Sequence, residues 1–430
     1  MSADAHSATL PDGAASVSAP SVLPAWRTRA WGIVGALSVT ETVSWGILYY
    51  AFAVFLIPMQ RDLGYSTAEL TGAFSVALLV SGAAGIAVGR FLDRHSPRAL
   101  MTIGSAAGAA LVLAWSQVHG LVAFYAIWVA IGLVMAAVLY EPAFTVLAKQ
   151  FPATADRRRA MTAMTLVAAL ASFIFMPLAQ ALIDAHGWRD ALIALAVILA
   201  VVTLPLHALV LRPAPRDDNP AAAVARNHNR SVAAGDALRS APFWMLSGAF
   251  LLASLTAFAM AVHAIAFLLS RGHSPAFAAF AVGLIGISQI PGRLLFAPLA
   301  ARLPRPAATA SVFVLIGLGV AVVVSVYSTT AVVAGLVLLG MGNGMATLAR
   351  ATAIADLYGA GAYGTIAAVA GAMTTGARAL GPVAGALYAA AFGYVALLWT
   401  LAALALVAAG LAWQAEHAAA RHPITAAGTP

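Results

Sequence analysis

Long uninterrupted stretches of apolar residues, separated by short polar turns, set the pattern of this chain. The runs fall at Trp31–Met59, Ala68–Leu92, Ala99–Ser116, Leu121–Ala148, Ala160–Ile183 and Ala191–Leu211, and again at Phe243–Leu269, Ala276–Ala300, Ala307–Tyr327, Ala331–Leu357, Thr365–Phe392 and Val395–Trp413. Each is long enough to cross ~30 Å of hydrocarbon as a helix. Between the two sets, Arg212 to Ser240 collects Pro213, Pro215, Asp217, Asp218 and Pro220, a composition that predicts a solvated linker. The expected organisation is a disordered cytoplasmic tail over 1–29, a six-helix bundle over 30–211, a cytoplasmic linker over 212–241, a second six-helix bundle over 242–414 and a cytoplasmic tail over 415–430. The fold class is therefore an all-α membrane protein of about twelve transmembrane helices in two parallel repeats.

Local signals support the repeats. Ser66-Thr67-Ala68-Glu69 reads as a capping box opening the second helix. Gly89-Asp93-Arg94 aligns with Ala297-Ala301-Arg302, Pro177 with Pro382, and Gly187-Trp188 with Gly393-Tyr394, at a nearly constant offset.

Composition and charge narrow the class. Hydrophobic residues make up 62% of the chain and charged ones 9%, far from the roughly one quarter charged in soluble domains. The net charge of +8 comes from arginines gathered in alternate loops, which is a topology signal and argues against a nucleic-acid partner. With an inner amino terminus, Arg27, Arg29, Arg90, Arg94, Arg98, Lys149, Arg157, Arg158, Arg159, Arg302, Arg305 and Arg421 all fall inside, against Arg61, Arg189 and Arg271 outside. Both termini are expected in the cytoplasm and the protein in a bacterial-type cytoplasmic (inner) membrane. There is no cysteine, and Lys149 is the only lysine, which excludes a Gly-Lys-Ser/Thr phosphate loop. No nucleophile elbow, metal triad or paired acid and base points to an enzyme, and no cofactor or metal is implied.

Charges inside the spans are the candidate chemistry. Glu41, Glu141, Arg293, Arg350 and Arg378 remain once loops and tails are set aside, and each costs about 2.5–3.5 kcal/mol near a helix centre unless a partner, water or substrate meets it. Three cations against two carboxylates leave about one positive charge for an anionic substrate to neutralise. Structural alternatives are Arg293 paired with Glu41, Arg378 bonded to carbonyls freed by Pro382, Glu141 and Arg350 each bound to a helix within its own half, and His263 a hydrogen-bonded core residue instead of a coupling group. Glu141 and Arg350 occupy equivalent helices at similar depth and could form an inner gate. Arg157-Arg158-Arg159 reads as an inside anchor, and Gly340, Gly342 and Gly344 as close-packing positions.

Two stretches carry a family resemblance. The turn Gly89-Arg90-Phe91-Leu92-Asp93-Arg94-His95-Ser96-Pro97-Arg98 resembles the loop between the second and third helices of the major facilitator superfamily, with Ser96 where that pattern has a second glycine. Within it, Gly89 would let a helix approach, Asp93 would sit at a neighbouring helix end, and Arg94 would face the cytoplasm. The run Gly286-Ile287-Ser288-Gln289-Ile290-Pro291-Gly292-Arg293 resembles the eighth helix of the monocarboxylate transporter and oxalate:formate antiporter branch. That resemblance implies that Arg293 binds a substrate carboxylate; Gln289 stands where monocarboxylate transporters carry a proton-bearing aspartate. Arg378 lies where the antiporter has a cavity lysine, and Tyr49 and Tyr50 fall in its first-helix aromatic run. The expectation is a secondary transporter of a small organic anion, a functional monomer working by alternating access, with a proton or a counter-anion as the coupled species. A transporter of a drug-like or neutral metabolite with the same fold is the alternative. Phe173-Ile174-Phe175-Met176-Pro177 lacks the Gly-Pro pair typical of superfamily exporters.

Overall fold

A computed structural model describes residues 25–151, 153–211 and 232–421. Most of the expected tails and of the linker lies outside them. All regular structure among the described residues is helical.

The first half contains α1 (Ala25–Trp45), a π-turn over Gly46–Tyr50, α2 (Ala51–Leu63), α3 (Thr67–Arg94), α4 (Pro97–Ser116), α5 (Leu121–Val138), α6 (Tyr140–Gln150), α7 (Thr154–Ala168), α8 (Ala171–His186) and α9 (Trp188–Val210). The second contains α10 (Ala234–Arg239), α11 (Ala241–Ser270), α12 (Pro275–Arg302), α13 (Arg305–Ser325), α14 (Thr329–Tyr358) and α15 (Tyr363–Arg421). Eleven apolar helical stretches among the described residues could cross a membrane. The last, α15, has 59 residues and is broken at Gly393 (φ 84°, ψ 163°); at ~1.5 Å per residue it is far too long for one crossing. Its two arms bring the count to the twelve spans read from the sequence.

Helix starts follow the sequence signals. Ser66 accepts the Glu69 backbone N–H at 3.2 Å while its own backbone N–H donates to Glu69 Oε2 at 2.8 Å, completing the capping box. Ser240, Ser274 and Ser328 cap α11, α12 and α14 in the same way with one bond each. Pro58, Pro177, Pro205, Pro291, Pro298 and Pro382 lie inside helices without ending them. In hydrocarbon, a kink with one freed carbonyl costs less than a stretch of unpaired backbone.

Pro142 does divide its span. Its ring would meet the carbonyl of Val138, so Leu139 turns extended (φ −91°, ψ −163°) and α6 restarts at Tyr140. The π-turn divides the first span: the Ala51 N–H reaches back five residues to Gly46 O. At the ends of the two repeats, Gly187 (φ 80°, ψ 164°) and Gly393 take nearly the same conformation, which a side chain would oppose. Two positions differ from expectation. The linker's end is already ordered as α10, and α15 runs through Trp413 to Arg421, so the expected tail begins as helix.

Glycine governs the closest approaches. A Cβ on Gly344 would lie 2.2 Å from Gln289 O, on Gly292 2.2 Å from Met341 O, and on Gly340 2.5 Å from Ile285 O. These three contacts seat α12 and α14 backbone against backbone.

Candidate substrate cavity and the contacts that close it

Between the two halves lies a cavity of about 370 Å³. Its lining includes Arg293, Gln289, Arg378, Tyr49, Tyr50, Glu141 and Arg350; among the candidate residues Glu41, Asp93, Arg94 and His263 stand outside it.

Arg293 is 6% exposed. Its Nη1 donates to the Thr165 carbonyl of α7 at 2.5 Å and its Nη2 to Gln289 Oε1 at 3.4 Å, while its Nε is buried without a partner. Gly344 and Gly292 hold this turn of α12 against α14, so the guanidinium is positioned by backbone packing on one side and crosses to the other half. The Arg293–Glu41 pair considered from the sequence does not form.

Arg378 lies over the Phe258 ring, with Cζ 5.3 Å from the centroid, and its Nε is also buried without a hydrogen-bond partner. His263 Nε2 lies 2.8 Å from the Pro382 carbonyl, and His263 packs under Gly385. His263 is buried and lies away from the lining. Two guanidiniums therefore face one cavity with no carboxylate paired to either, one more than the charge count from sequence suggested.

Opposite them stands an aromatic wall. The π-turn brings Trp45, Tyr49 and Tyr50 into mutual contact, with ring centroids 5.0, 6.2 and 5.1 Å apart, and Tyr140 adds a fourth ring 4.9 Å from Trp45. Trp45 and Tyr140 are lining residues that sequence reasoning missed or left aside. A π-turn has no sequence signature, and Tyr140 gains its place only through the break at Leu139.

Arg350 Nη2 donates to Glu141 Oε1 at 2.5 Å, bridging the halves at one end of the cavity. A Cβ on Gly371 of α15 would come within 2.9 Å of that carboxylate oxygen, so the pair occupies the space glycine leaves.

Further toward the arginine-rich face, three more contacts join the halves. Asp93 accepts the Gly364 and Thr365 backbone N–H groups, each at 2.8 Å, at the start of α15. Gly89 makes room for this, since a Cβ there would lie 2.1 Å from Gly364 O. Arg157 and Arg158 both hold Asp356 of α14; the latter contact is 2.8 Å, and Arg157 and Asp356 side chains are each 6% exposed. The arginine run is therefore more than an anchor: two of its members form cross-half ion pairs, while Arg159, and Arg94 elsewhere on this face, are exposed. Glu416, expected in a tail, is 4% exposed and accepts from Thr309 Oγ1 and pairs with Arg305, each at 3.3 Å. At the opposite face, α2 and α8 pack chiefly against their own half.

A polytopic helical bundle of two repeats around a central cavity defines a membrane transporter. A family model of the Major Facilitator Superfamily matches residues 39–382, and the chain belongs to that superfamily. It is 28% identical over 326 residues to monocarboxylate transporter 13 of Bos taurus, covering 73% of this chain and 71% of the relative. With the Rattus norvegicus monocarboxylate transporter 13 it shares 26% over 342 residues, 77% and 76% of the two chains. The crystal structure of a variant E. coli fucose:proton symporter superposes with a TM-score of 0.67 at 15% identity, covering 89% of this chain and 98% of that one, a likeness of fold.

Proposed function

We propose that this protein is a secondary transporter that moves a small organic anion across the cytoplasmic membrane by alternating access. The observation that carries the reading is the pair of guanidiniums, Arg293 and Arg378, that face one cavity without a carboxylate partner. A buried cation without a counter-charge is costly, and an anion entering between them would remove that cost. The fork of Arg293 suits a carboxylate, while the ring wall suits the apolar body of the same molecule. The names of the curated relatives, monocarboxylate transporters, agree with this class.

With the arginine-rich face in the cytoplasm, as the loop arginines favour, the cross-half contacts seal the inner mouth, and α2 and α8 leave the outer side less bridged. This is then an outward-facing state. In the cycle, Glu141–Arg350 serves as the inner gate, stabilising closure by ~1–3 kcal/mol and dissolving as the mouth hydrates.

The test is uptake and counterflow of labelled lactate, pyruvate, oxalate and benzoate in proteoliposomes. Saturable uptake of at least one, with unlabelled anion accelerating exchange, is expected. Transport of none of them, with carriage of neutral or cationic compounds, would overturn the reading.

A further inference from the structure

The aromatic side chains of the first half fall into two layers. Behind stand Phe52, Trp115, Trp128 and Phe144, each 4% exposed or less. They pack on one another and on Phe74, with Phe52 stacked 4.7 Å from Phe74 and Trp128 edge-on to it at 5.5 Å. In front stand Trp45, Tyr49, Tyr50 and Tyr140, all partly buried and all lining the cavity.

The rear layer fixes the front one. Tyr49 packs edge-on against Phe74 at 5.3 Å, and Tyr140 stacks on Phe144 at 5.4 Å. Contacts within the front layer are tilted or edge-on, with interplanar angles of 61°, 42°, 45° and 78°, so the rings form a corner and not a closed stack. Another flat ring can meet such a corner edge-to-face or offset, the geometries that aromatic pairs prefer. Because the rings are already held, little ordering entropy is lost when a ligand docks on them.

Positive charge is confined to the other side. Among the described residues the first half gives the cavity lining no arginine, lysine or histidine, and its one acid there, Glu141, is tied to Arg350. Arg293 and Arg378, the lining cations without a carboxylate, belong to α12 and α15 of the second half, and each keeps a buried Nε without a partner. Arg293 already donates to the Thr165 carbonyl and to Gln289, whereas Arg378 makes no hydrogen bond among the described residues and only lies over Phe258. The Arg378 fork is thus the fuller set of donors for an incoming carboxylate.

The cavity therefore has one charged pole and one aromatic side, supplied by different halves. A small dicarboxylate such as oxalate has no body to cover the rings, and no second charged pole lies on their side to receive it. A three-carbon acid would leave most of the wall bare in a cavity of about 370 Å³, a size within the ~300–1,000 Å³ of sites for drug-sized ligands.

Building on the anion-transport reading, we infer that the substrate is an aromatic monocarboxylate, its carboxylate held between Arg378 and Arg293 and its ring seated in the corner of Trp45, Tyr49, Tyr50 and Tyr140. Such a molecule touches both halves at once.

Isothermal titration calorimetry on the full-length protein in detergent, with benzoate, cyclohexanecarboxylate, benzamide and oxalate, separates the ring from the charge. Benzoate should bind about tenfold tighter than cyclohexanecarboxylate, which has the same charge and similar size but no aromatic face, and tighter again than benzamide or oxalate. Tyr49→Leu and Tyr50→Leu keep apolar bulk and remove the ring. Each should cut the preference for benzoate over cyclohexanecarboxylate about threefold, while cyclohexanecarboxylate affinity moves less than about twofold. Equal binding of the two acids by the wild type, tighter binding of oxalate than of benzoate, or leucine variants that weaken both acids alike would overturn the aromatic assignment and leave the anion reading in place. Benzamide binding as tightly as benzoate would instead remove the anion reading and leave the ring preference. Should the leucine variants bind neither acid, the wild-type series alone decides.

Discussion

Arg293 shows how a single side chain acquires a task. Charges within apolar runs are conspicuous in any sequence, so Arg293, Arg378, Glu141 and Arg350 could be picked out by position alone. Their partners could not. The Thr165 carbonyl that accepts from Arg293 belongs to a backbone more than a hundred residues away, and the Phe258 ring under Arg378 is one apolar residue among many. Arg293→Lys should leave folded protein in the membrane while impairing uptake, because a point charge cannot span both contacts. Losing one charge-assisted bond of about 1.5–3 kcal/mol predicts about a ten- to hundred-fold weaker apparent affinity. Concentration-dependent uptake in proteoliposomes checks it; near-normal uptake would remove Arg293 from the binding site.

At the scale of elements, what decides the arrangement is how closely helices can approach. Gly89 and Asp93 were readable as a pair because their spacing puts a close approach one turn before an acid. The structure gives that acid two backbone N–H groups at the start of α15. Asp93→Asn keeps one acceptor oxygen and loses the charge, so it should loosen the inner mouth and slow cycling more than it weakens binding. Stopped-flow or initial-rate uptake across substrate concentration separates the two; a large affinity loss at unchanged turnover would contradict the assignment. The α12–α14 seam makes a second prediction. Gly344→Ala places a methyl 2.2 Å from Gln289 O, an overpacking that costs about 1–3 kcal/mol. Its thermal midpoint in detergent should drop, whereas Gly410→Ala, where a Cβ meets nothing within 4 Å, should not move it. The breaks were harder to anticipate: Pro142 splits its span, whereas Pro177 and Pro382 lie within continuous helices, a distinction set by tertiary surroundings.

For the whole molecule, twelve spans and two repeats were legible because hydrocarbon tolerates few alternatives to long apolar helices. The ion pairs that join the halves at the arginine-rich face were only half legible. Arg157 and Arg158 stood out, but Asp356 lies near the end of an apolar run, where an acid ordinarily faces water. The Glu141–Arg350 gate is testable by charge reversal. Glu141→Arg or Arg350→Glu alone should bias the protein toward inward opening, and the double swap should restore part of the outward-facing population. The native chain has no cysteine, so a single cysteine placed in the inner mouth reports accessibility without background. Additive effects of the two reversals would rule out the gate.

The π-turn at Gly46–Tyr50 has a further consequence, for insertions and deletions. It holds one residue more than an α-helix would need over the same rise, so the faces of α1 and α2 are in register only because that residue is absorbed locally. Deleting one residue between Gly46 and Tyr50 should convert the turn to ordinary helix and keep Phe52, Phe55 and Met59 in the core, where they are 4%, 0% and 0% exposed. The same deletion two turns later would swing every following side chain by ~100°. Relatives of this transporter are thus free to differ in length by one residue here, and an alignment gap at this turn would mark the loss of the aromatic corner without the loss of the fold.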